Sequence, residues 1–228
     1  VPATVFVTSG FLDGGLMWND RVREALRRHP EGTAKLDFLG LGTRDLGSLP
    51  ERAAIAEEVL KSIKYWHPRE REQAVTELES RAPGRPPSLM LDCEGLRALA
   101  LAGVEIGAHT QSHPILASLD EADARDEIQG SKAALEDALQ REVRFFAYPN
   151  GRAGADYLPE HVSLVRQAGF SAALSTDGGA NTPGVDPFQL QRFTPWDRNP
   201  FYFAARIAHH RGTARPGPSQ QEDMDYEL

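Results

Sequence analysis

Cysteine is almost absent from this sequence of 228 residues, whose single thiol is Cys93. One cysteine excludes an internal disulfide and a zinc site built from several thiolates. Long apolar runs are absent too, since no stretch approaches the roughly 18 apolar residues that a membrane-spanning helix requires. The sequence therefore predicts no membrane span, and it leaves the cellular compartment open.

Positive charge is in short supply as well. The chain carries 25 Lys and Arg against 33 Asp and Glu, which gives a formal net charge of −8. Nucleic acids and anionic membrane surfaces bind clustered positive charge, so neither is expected as a partner. Residues 10–15 follow the first apolar run but lack a Gly-x-Gly-x-x-Gly pattern, which argues against a dinucleotide-binding fold.

Strands and helices alternate along the chain. Apolar residues at helical spacing predict several helices, of which the longest covers residues 121–139. Between the helices, apolar and β-branched runs predict buried strands at residues 4–8, 104–106, 143–147, 170–174 and 188–193. This alternation predicts an α/β fold with about five parallel strands, arranged as a doubly wound sheet or a barrel. A barrel is favoured because the polar residues at the strand ends would then meet at one mouth.

One domain is predicted over residues 1–211. Within it, residues 48–82 predict a helical insertion, with Ser48 as the N-cap of its first helix and Pro50 in the first turn. Residues 212–228 are rich in Pro, Gly, Gln and acidic side chains, and they predict a flexible acidic tail.

Two histidines, His109 and His113, follow the predicted strand at residues 104–106. Side chains four residues apart lie on one face of a helical turn, so both imidazoles could point at one ion. Neutral imidazole is a common ligand of zinc. The alternative is an N-capped turn, with Thr110 or Ser112 as the cap and both histidines merely exposed.

Three segments, in order, resemble the polysaccharide deacetylases, the NodB-homology domain of carbohydrate esterase family 4. Residues 105–116 contain His-Thr-Gln-Ser-His-Pro and are similar to the family's His-(Ser/Thr)-x-x-His motif. Residues 146–151, Phe-Ala-Tyr-Pro-Asn-Gly, resemble its next motif, and residues 1–10 resemble the strand after its first motif. The resemblance implies a distorted (β/α)7-type barrel and metal-dependent removal of N-acetyl groups, usually from amino sugars.

The chain also departs from this family. The family's first motif, Thr-Phe-Asp-Asp, supplies a general base and a metal ligand, and it would lie before Val1. We therefore expect an N-terminally truncated barrel without its first strand, which could associate as a homo-oligomer through the exposed edge. Where the family often has Leu-x-His, the chain reads Leu190-Gln191-Arg192, and where it often has a Trp, the chain reads Thr176-Asp177-Gly178.

The resemblance implies that His109 and His113 bind a divalent metal, and zinc is the expected ion. Tyr148 is the candidate oxyanion donor through its backbone N–H, or else a half-buried aromatic that closes the barrel. Arg192 could stabilise developing charge, or could form a salt bridge with Asp177 or Asp186. Asp177 could orient a partner at a strand end, or could simply belong to a turn.

Substrate contacts are expected at Pro149 and Asn150, and at Trp196, whose indole face suits the apolar side of a sugar ring. A core Trp is the alternative for Trp196. The histidines on predicted helices, His161, His209 and His210, are expected at the surface.

The favoured hypothesis is a carbohydrate N-deacetylase that hydrolyses a linear amide C–N bond with a bound metal. Its substrate partner would be an amino-sugar polysaccharide or oligosaccharide. Two alternatives remain: a hydrolase of cyclic amides or ureides on the same fold, and a non-catalytic carbohydrate-binding module.

Overall fold

The computed structural model describes residues 2–192 and 199–212, which form two compact units. One unit contains Val1–Gly10 and Glu94–Leu228, and the other contains Phe11–Cys93. The strands are β1 (Thr4–Val7), β2 (Thr33–Lys35), β3 (Thr43–Asp45), β4 (Glu105–Ala108), β5 (Phe145–Ala147) and β6 (Ala172–Leu174). The α-helices are α1 (Trp18–Arg28), α2 (Leu49–Ile63), α3 (Pro68–Ser80), α4 (Cys93–Leu101), α5 (Glu121–Leu139), α6 (Pro159–Gln167) and α7 (Pro200–Gly212).

A four-stranded parallel sheet forms the centre of the first unit, in the order β1-β4-β5-β6. Leaving aside β2 and β3, which form a separate antiparallel hairpin, each strand lies beside the next one in the chain. A barrel adds its strands in this order, whereas a doubly wound sheet reverses direction at a switch point. The predicted α/β fold with a parallel sheet and helices is confirmed.

The strand predicted at residues 188–193 is wrong for its described part. Residues Pro187–Gln189 form a 3-10 turn, and only Leu190 reaches the sheet, through an isolated bridge to Leu174. The cause is local, because the Asp186 carboxylate accepts a hydrogen bond from the N–H of Phe188 and starts the turn. The remainder of this prediction, Phe193, lies outside the described residues.

Helix α5 follows the predicted pattern closely. The inner face of α5 is buried through Ala124, Ile128 and Leu135, and Asp120 caps its first turn by accepting from the N–H of Asp123. Because Ile128 and Leu135 are seven residues apart, they lie two turns apart on the same face of the helix. The apolar spacing therefore located this helix correctly.

The second unit, Phe11–Cys93, has its own hydrophobic core. This unit contains more residues than the insertion predicted at residues 48–82. Val22 and Leu26 of α1 are fully buried in one cluster with Val59 of α2 and Leu78 of α3. Helix α1 therefore belongs to this unit, which begins at Phe11 rather than near residue 48. The predicted cap of α2 is present, since Ser48 and Glu51 form reciprocal capping hydrogen bonds.

Among the described residues, none of the helices combines the length and the apolar character that crossing a bilayer requires. Trp196 and residues 213–228 of the predicted tail lie outside the described residues. Association through an exposed barrel edge stays a prediction.

Candidate metal centre and active site

Strand β4 delivers His109 directly into the candidate site. The N–H of His109 donates to the carbonyl of Val7 at 3.0 Å and so continues the pairing of β4 with β1. The chain then leaves the strand direction, since Thr110 and His113 both have positive φ, 64° and 59°. The segment between the histidines is a loop, so the predicted helical turn is wrong. Left-handed backbone at non-glycine residues is uncommon and is concentrated at functional sites.

The loop nevertheless brings the two imidazoles together. Their ring centroids lie 4.7 Å apart with the planes at 73°. Nδ1 of His109 lies 2.6 Å from the carbonyl oxygen of Ala147. A carbonyl only accepts, so Nδ1 carries the proton and the lone pair of His109 is on Nε2. This arrangement, in which the second ring nitrogen is fixed by a carbonyl, is typical of metal-binding histidines.

The electrostatics of the site hold His109 in its neutral form. Burial, with smaller contributions from the charges of His113 and Arg192, lowers the pKa of His109 to about 3, although the hydrogen bond to Ala147 opposes this shift. Only the neutral imidazole has a lone pair for a metal. His109 is therefore in the ligand form across the physiological range.

The loop between the histidines is hydrogen-bonded to the turn that follows β1. The N–H groups of Ser9 and Gly10 donate to the carbonyls of Thr110 and Gln111 at 3.2 and 2.9 Å. Gly10 is required there, because a Cβ atom would lie 2.7 Å from the carbonyl oxygen of Gln111. Within the loop, the Thr110 hydroxyl accepts from the N–H of His113 at 3.0 Å. The separation of the two histidines is thus set by several hydrogen bonds.

The donor set fits two positions of a zinc site. Two imidazole nitrogens, one with its partner nitrogen fixed by a carbonyl, are the ligands that zinc prefers. Within residues 2–192 and 199–212 there is no group of three or more His, Cys, Asp or Glu side chains that could hold a metal. The described part of the chain therefore offers the histidine pair and no larger cluster.

Tyr148 begins the corner that follows β5. Its side chain is fully buried, stacks on Tyr157 with ring centroids 3.8 Å apart, and donates its hydroxyl to the carbonyl of Phe188 at 2.9 Å. Burial raises the pKa of the Tyr148 hydroxyl, which stays protonated. Its backbone N–H donates to the carbonyl of Leu174 at 3.1 Å, so the predicted role of that N–H as a free oxyanion donor is wrong. The reason is that Tyr148 still belongs to the pairing between β5 and β6.

The same corner contains a different amide that could serve. Asn150 has a φ of 57°, and its carbonyl accepts from the Thr176 hydroxyl. The N–H of the next residue, Gly151, bonds to the carbonyl of Pro149 at 2.6 Å. Among hydrogen bonds between described residues, the N–H of Asn150 takes part in none. The signal in the sequence was the Asn-Gly pair, because Asn and Gly both tolerate left-handed backbone.

Arg192 lies close enough to His109 for its charge to lower the pKa of that imidazole. Nε of Arg192 is buried, and within the described structure it has no hydrogen-bond partner. Among the ion pairs of the described residues, Arg192 pairs with neither Asp177 nor Asp186, and Asp186 pairs with Arg166 at 3.1 Å. A permanently cationic group therefore lies beside the histidine pair.

Asp177 accepts two hydrogen bonds from backbone N–H groups. Its carboxylate accepts from the N–H of Ala153 at 3.2 Å, and its carbonyl accepts from the N–H of Arg192 at 3.3 Å. Asp177 thus connects the segment after the Tyr-Pro-Asn-Gly corner with the segment that carries Arg192.

His161, expected at the surface, is only 3% exposed. Its Nδ1 accepts from the N–H of Leu158 at 2.9 Å and completes the first turn of α6. Burial lowers the pKa of His161. His209 is exposed, as expected, and the side chain of His210 is outside the described residues.

A known protein family matches the part of the chain that contains several of these site residues. Residues 75–173 match the family model described as polysaccharide deacetylase, a range that includes both histidines and the whole Tyr-Pro-Asn-Gly corner. The resemblance to the polysaccharide deacetylases is confirmed there. The matched range is less than half of the chain, and it ends before Asp177 and Arg192. No curated protein matches the chain.

Several solved deacetylase structures are similar at low identity. The polysaccharide deacetylase BC0361 from Bacillus cereus is 21% identical with a TM-score of 0.46, over 52% of this chain and 37% of that one. The deacetylase PplD from Streptococcus pyogenes, in complex with acetate, is 15% identical with a TM-score of 0.46, over 92% and 95%. BA3943 from Bacillus anthracis, a CE4 family pseudoenzyme, is 21% identical with a TM-score of 0.37, over 55% and 37%. The chain spans less than half the length of the first three such structures, between 37% and 48%.

Proposed function

We propose that the chain is a metal-dependent hydrolase that removes N-acetyl groups from an amino-sugar polysaccharide or oligosaccharide. The observation that carries this proposal is the histidine pair. His109 has its Nδ1 fixed by the carbonyl of Ala147, and its ring lies 4.7 Å from that of His113. The family match over residues 75–173 supports amide hydrolysis on a carbohydrate as the reaction.

His109 and His113 would hold the metal, for which zinc is the proposed ion. A divalent ion bound there would polarise the acetyl carbonyl and lower the pKa of a bound water. Charge on the carbonyl oxygen increases as the amide is attacked, so donors and cations that face this oxygen accelerate the reaction. We assign this role to the N–H of Asn150, and to Arg192 as the cation beside His109.

Pro149 and Asn150 would contact the substrate, because their corner follows β5 in the same sheet whose strand β4 delivers His109. Asp177 would position Arg192 and this corner through its two backbone contacts. Stacking of a sugar ring on Trp196 stays a prediction, because Trp196 lies outside the described residues.

The proposal is tested by measuring acetate released from N-acetylglucosamine oligomers with and without added Zn²⁺. We expect release that depends on the metal, and we expect His113→Ala to abolish both zinc binding and release. His209→Ala is the matched control, since it removes an exposed imidazole from α7. Equal release by the His113→Ala variant and the unchanged chain would contradict the assignment.

The two alternative functions give different results in the same assay. Turnover of a cyclic amide such as allantoin without acetate release would identify a cyclic-amide hydrolase. Oligosaccharide binding at saturating Zn²⁺ without hydrolysis of either substrate would identify a carbohydrate-binding module. Either result would overturn the deacetylase proposal.

A further inference from the structure

Glu127 of α5 binds the loop that separates the two histidines. Its Oε2 accepts from the N–H groups of Gln111 and Ser112 at 2.7 and 2.9 Å, and its Oε1 accepts from the Ser112 hydroxyl at 2.5 Å. One carboxylate therefore receives three hydrogen bonds from two consecutive residues. Hydrogen bonds to an ionised acceptor are about twice as strong as those between neutral groups.

These hydrogen bonds hold a loop whose backbone has neither helical nor strand conformation. Thr110 and His113, on either side of Gln111 and Ser112, both have left-handed backbone. Regular secondary structure does not satisfy the N–H groups of such a segment, so a side chain or water takes its place. Glu127 of α5 supplies that acceptor, while the N–H groups of Ser9 and Gly10 bond to carbonyls of the same loop.

A second contact attaches the loop to α5. The side-chain amide of Gln111 donates to the carbonyl of Asp126 at 2.8 Å and lies over Gly130. A Cβ atom on Gly130 would come within 2.5 Å of this amide. The loop thus rests on α5 through Glu127 and through a space that a helical glycine leaves open.

We infer that Glu127 is a positioning residue for the candidate metal centre, which it stabilises by holding residues 111 and 112 so that His109 and His113 face one ion. Its carboxylate acts through Gln111 and Ser112, which it holds by three hydrogen bonds. The inference rests on the proposed function, because it assumes that the histidine pair binds a metal.

The test is the affinity of the chain for Zn²⁺, measured by competition with a chelating indicator. Glu127→Leu removes all three acceptors at similar size, and we expect about a tenfold loss of affinity or more, the effect known for groups that orient metal ligands. Glu127→Gln should rescue affinity to within about threefold, because an amide oxygen accepts from both N–H groups and the amide NH2 donates to the Ser112 hydroxyl. Glu121→Leu, on the same helix, is the matched control.

Unchanged affinity in Glu127→Leu would overturn the inference, and so would equal losses in the Leu and Gln variants. A purely structural role would lower the unfolding temperature of Glu127→Leu without changing the affinity of the folded protein. If Glu127→Leu does not fold, Glu127→Asp takes its place, because its shorter carboxylate keeps the charge but does not reach the loop. Absence of zinc binding by the unchanged chain would instead show that the proposed function is wrong.

Discussion

Three histidines show how one residue type takes on different tasks through its hydrogen bonds. His109 donates from Nδ1 to Ala147, whereas His161 and His67 each accept from a backbone N–H at the start of a helix. The sequence placed His109 correctly at a strand end. It did not show that His161 is buried, because that depends on which neighbours cover the first turn of α6. The prediction for the Tyr148 N–H was wrong for a similar reason, because the pairing of β5 with β6 decides whether this N–H has a hydrogen-bond partner.

The buried cap at His161 predicts a pH dependence of stability. Burial holds the pKa of His161 below its usual value. As the pH falls, the unfolded chain therefore binds a proton at this imidazole before the folded chain does. The contribution of His161 to the free energy of unfolding is therefore fully present above a pH of about 6.5. It decreases as the pH is lowered through that value, by at most about 1.4 kcal/mol for each pH unit. His161→Gln keeps an acceptor at this position, where Gln commonly caps, but cannot be protonated.

We expect the free energy of unfolding of His161→Gln to depend less steeply on pH than that of the unchanged chain between pH 7 and 5. The measurement is denaturant unfolding at several pH values with a chelator present. Equal slopes for the two proteins would show that His161 is not held neutral by the fold.

At the scale of elements, hydrophobic spacing located the helices better than it located the last strand. The long apolar face of α5 gave its limits, and Ser48 and Pro50 marked the start of α2. The run at residues 188–193 had the composition of a strand, but the cap at Asp186 turns the chain instead. The loop after β4 could not be predicted, because its left-handed residues depend on contacts with β1 and α5, which are distant in the sequence.

The contact between this loop and α5 predicts non-additive effects at Gly130. Replacement of a helical glycine by Ala ordinarily stabilises by about 1 kcal/mol. At Gly130 the new Cβ displaces the Gln111 side chain and its hydrogen bond to Asp126, which costs about 0.5–1.5 kcal/mol. Gly130→Ala alone should therefore leave stability nearly unchanged.

In a Gln111→Ala background the same substitution should stabilise by about 1 kcal/mol, since the clash is gone. A double-mutant cycle by chemical denaturation measures this difference. Additive effects of the two substitutions would show that the Gln111 side chain does not rest on Gly130.

At the scale of the whole molecule, the sequence indicated the fold class. The insertion at residues 48–82 stays a prediction, and nothing in the pattern of α1 alone shows that Val22 and Leu26 share a core with α2 and α3. The order of the parallel strands, in which each lies beside the next parallel strand of the chain, is the order in which a barrel adds its strands.

The separate core of Phe11–Cys93 predicts a large effect of Leu26→Ala. Leu26 is fully buried in that cluster, so we expect a loss of about 2–5 kcal/mol in the free energy of unfolding. The exposed Leu49, changed in the same way, is the control and should have a small effect. A small effect of Leu26→Ala, measured by denaturant unfolding, would show that α1 is not part of this core.

The deacetylase proposal depends on the binding of one metal ion by both His109 and His113. X-ray absorption at the zinc edge of the zinc-loaded chain detects these ligands, because imidazoles give a characteristic scattering pattern. We expect two imidazole nitrogens at about 2.0–2.1 Å from the ion in the unchanged chain, and no bound zinc in His113→Ala. Zinc without imidazole scattering in the unchanged chain, or zinc with the same number of imidazoles in both proteins, would show that the two histidines are not the ligands.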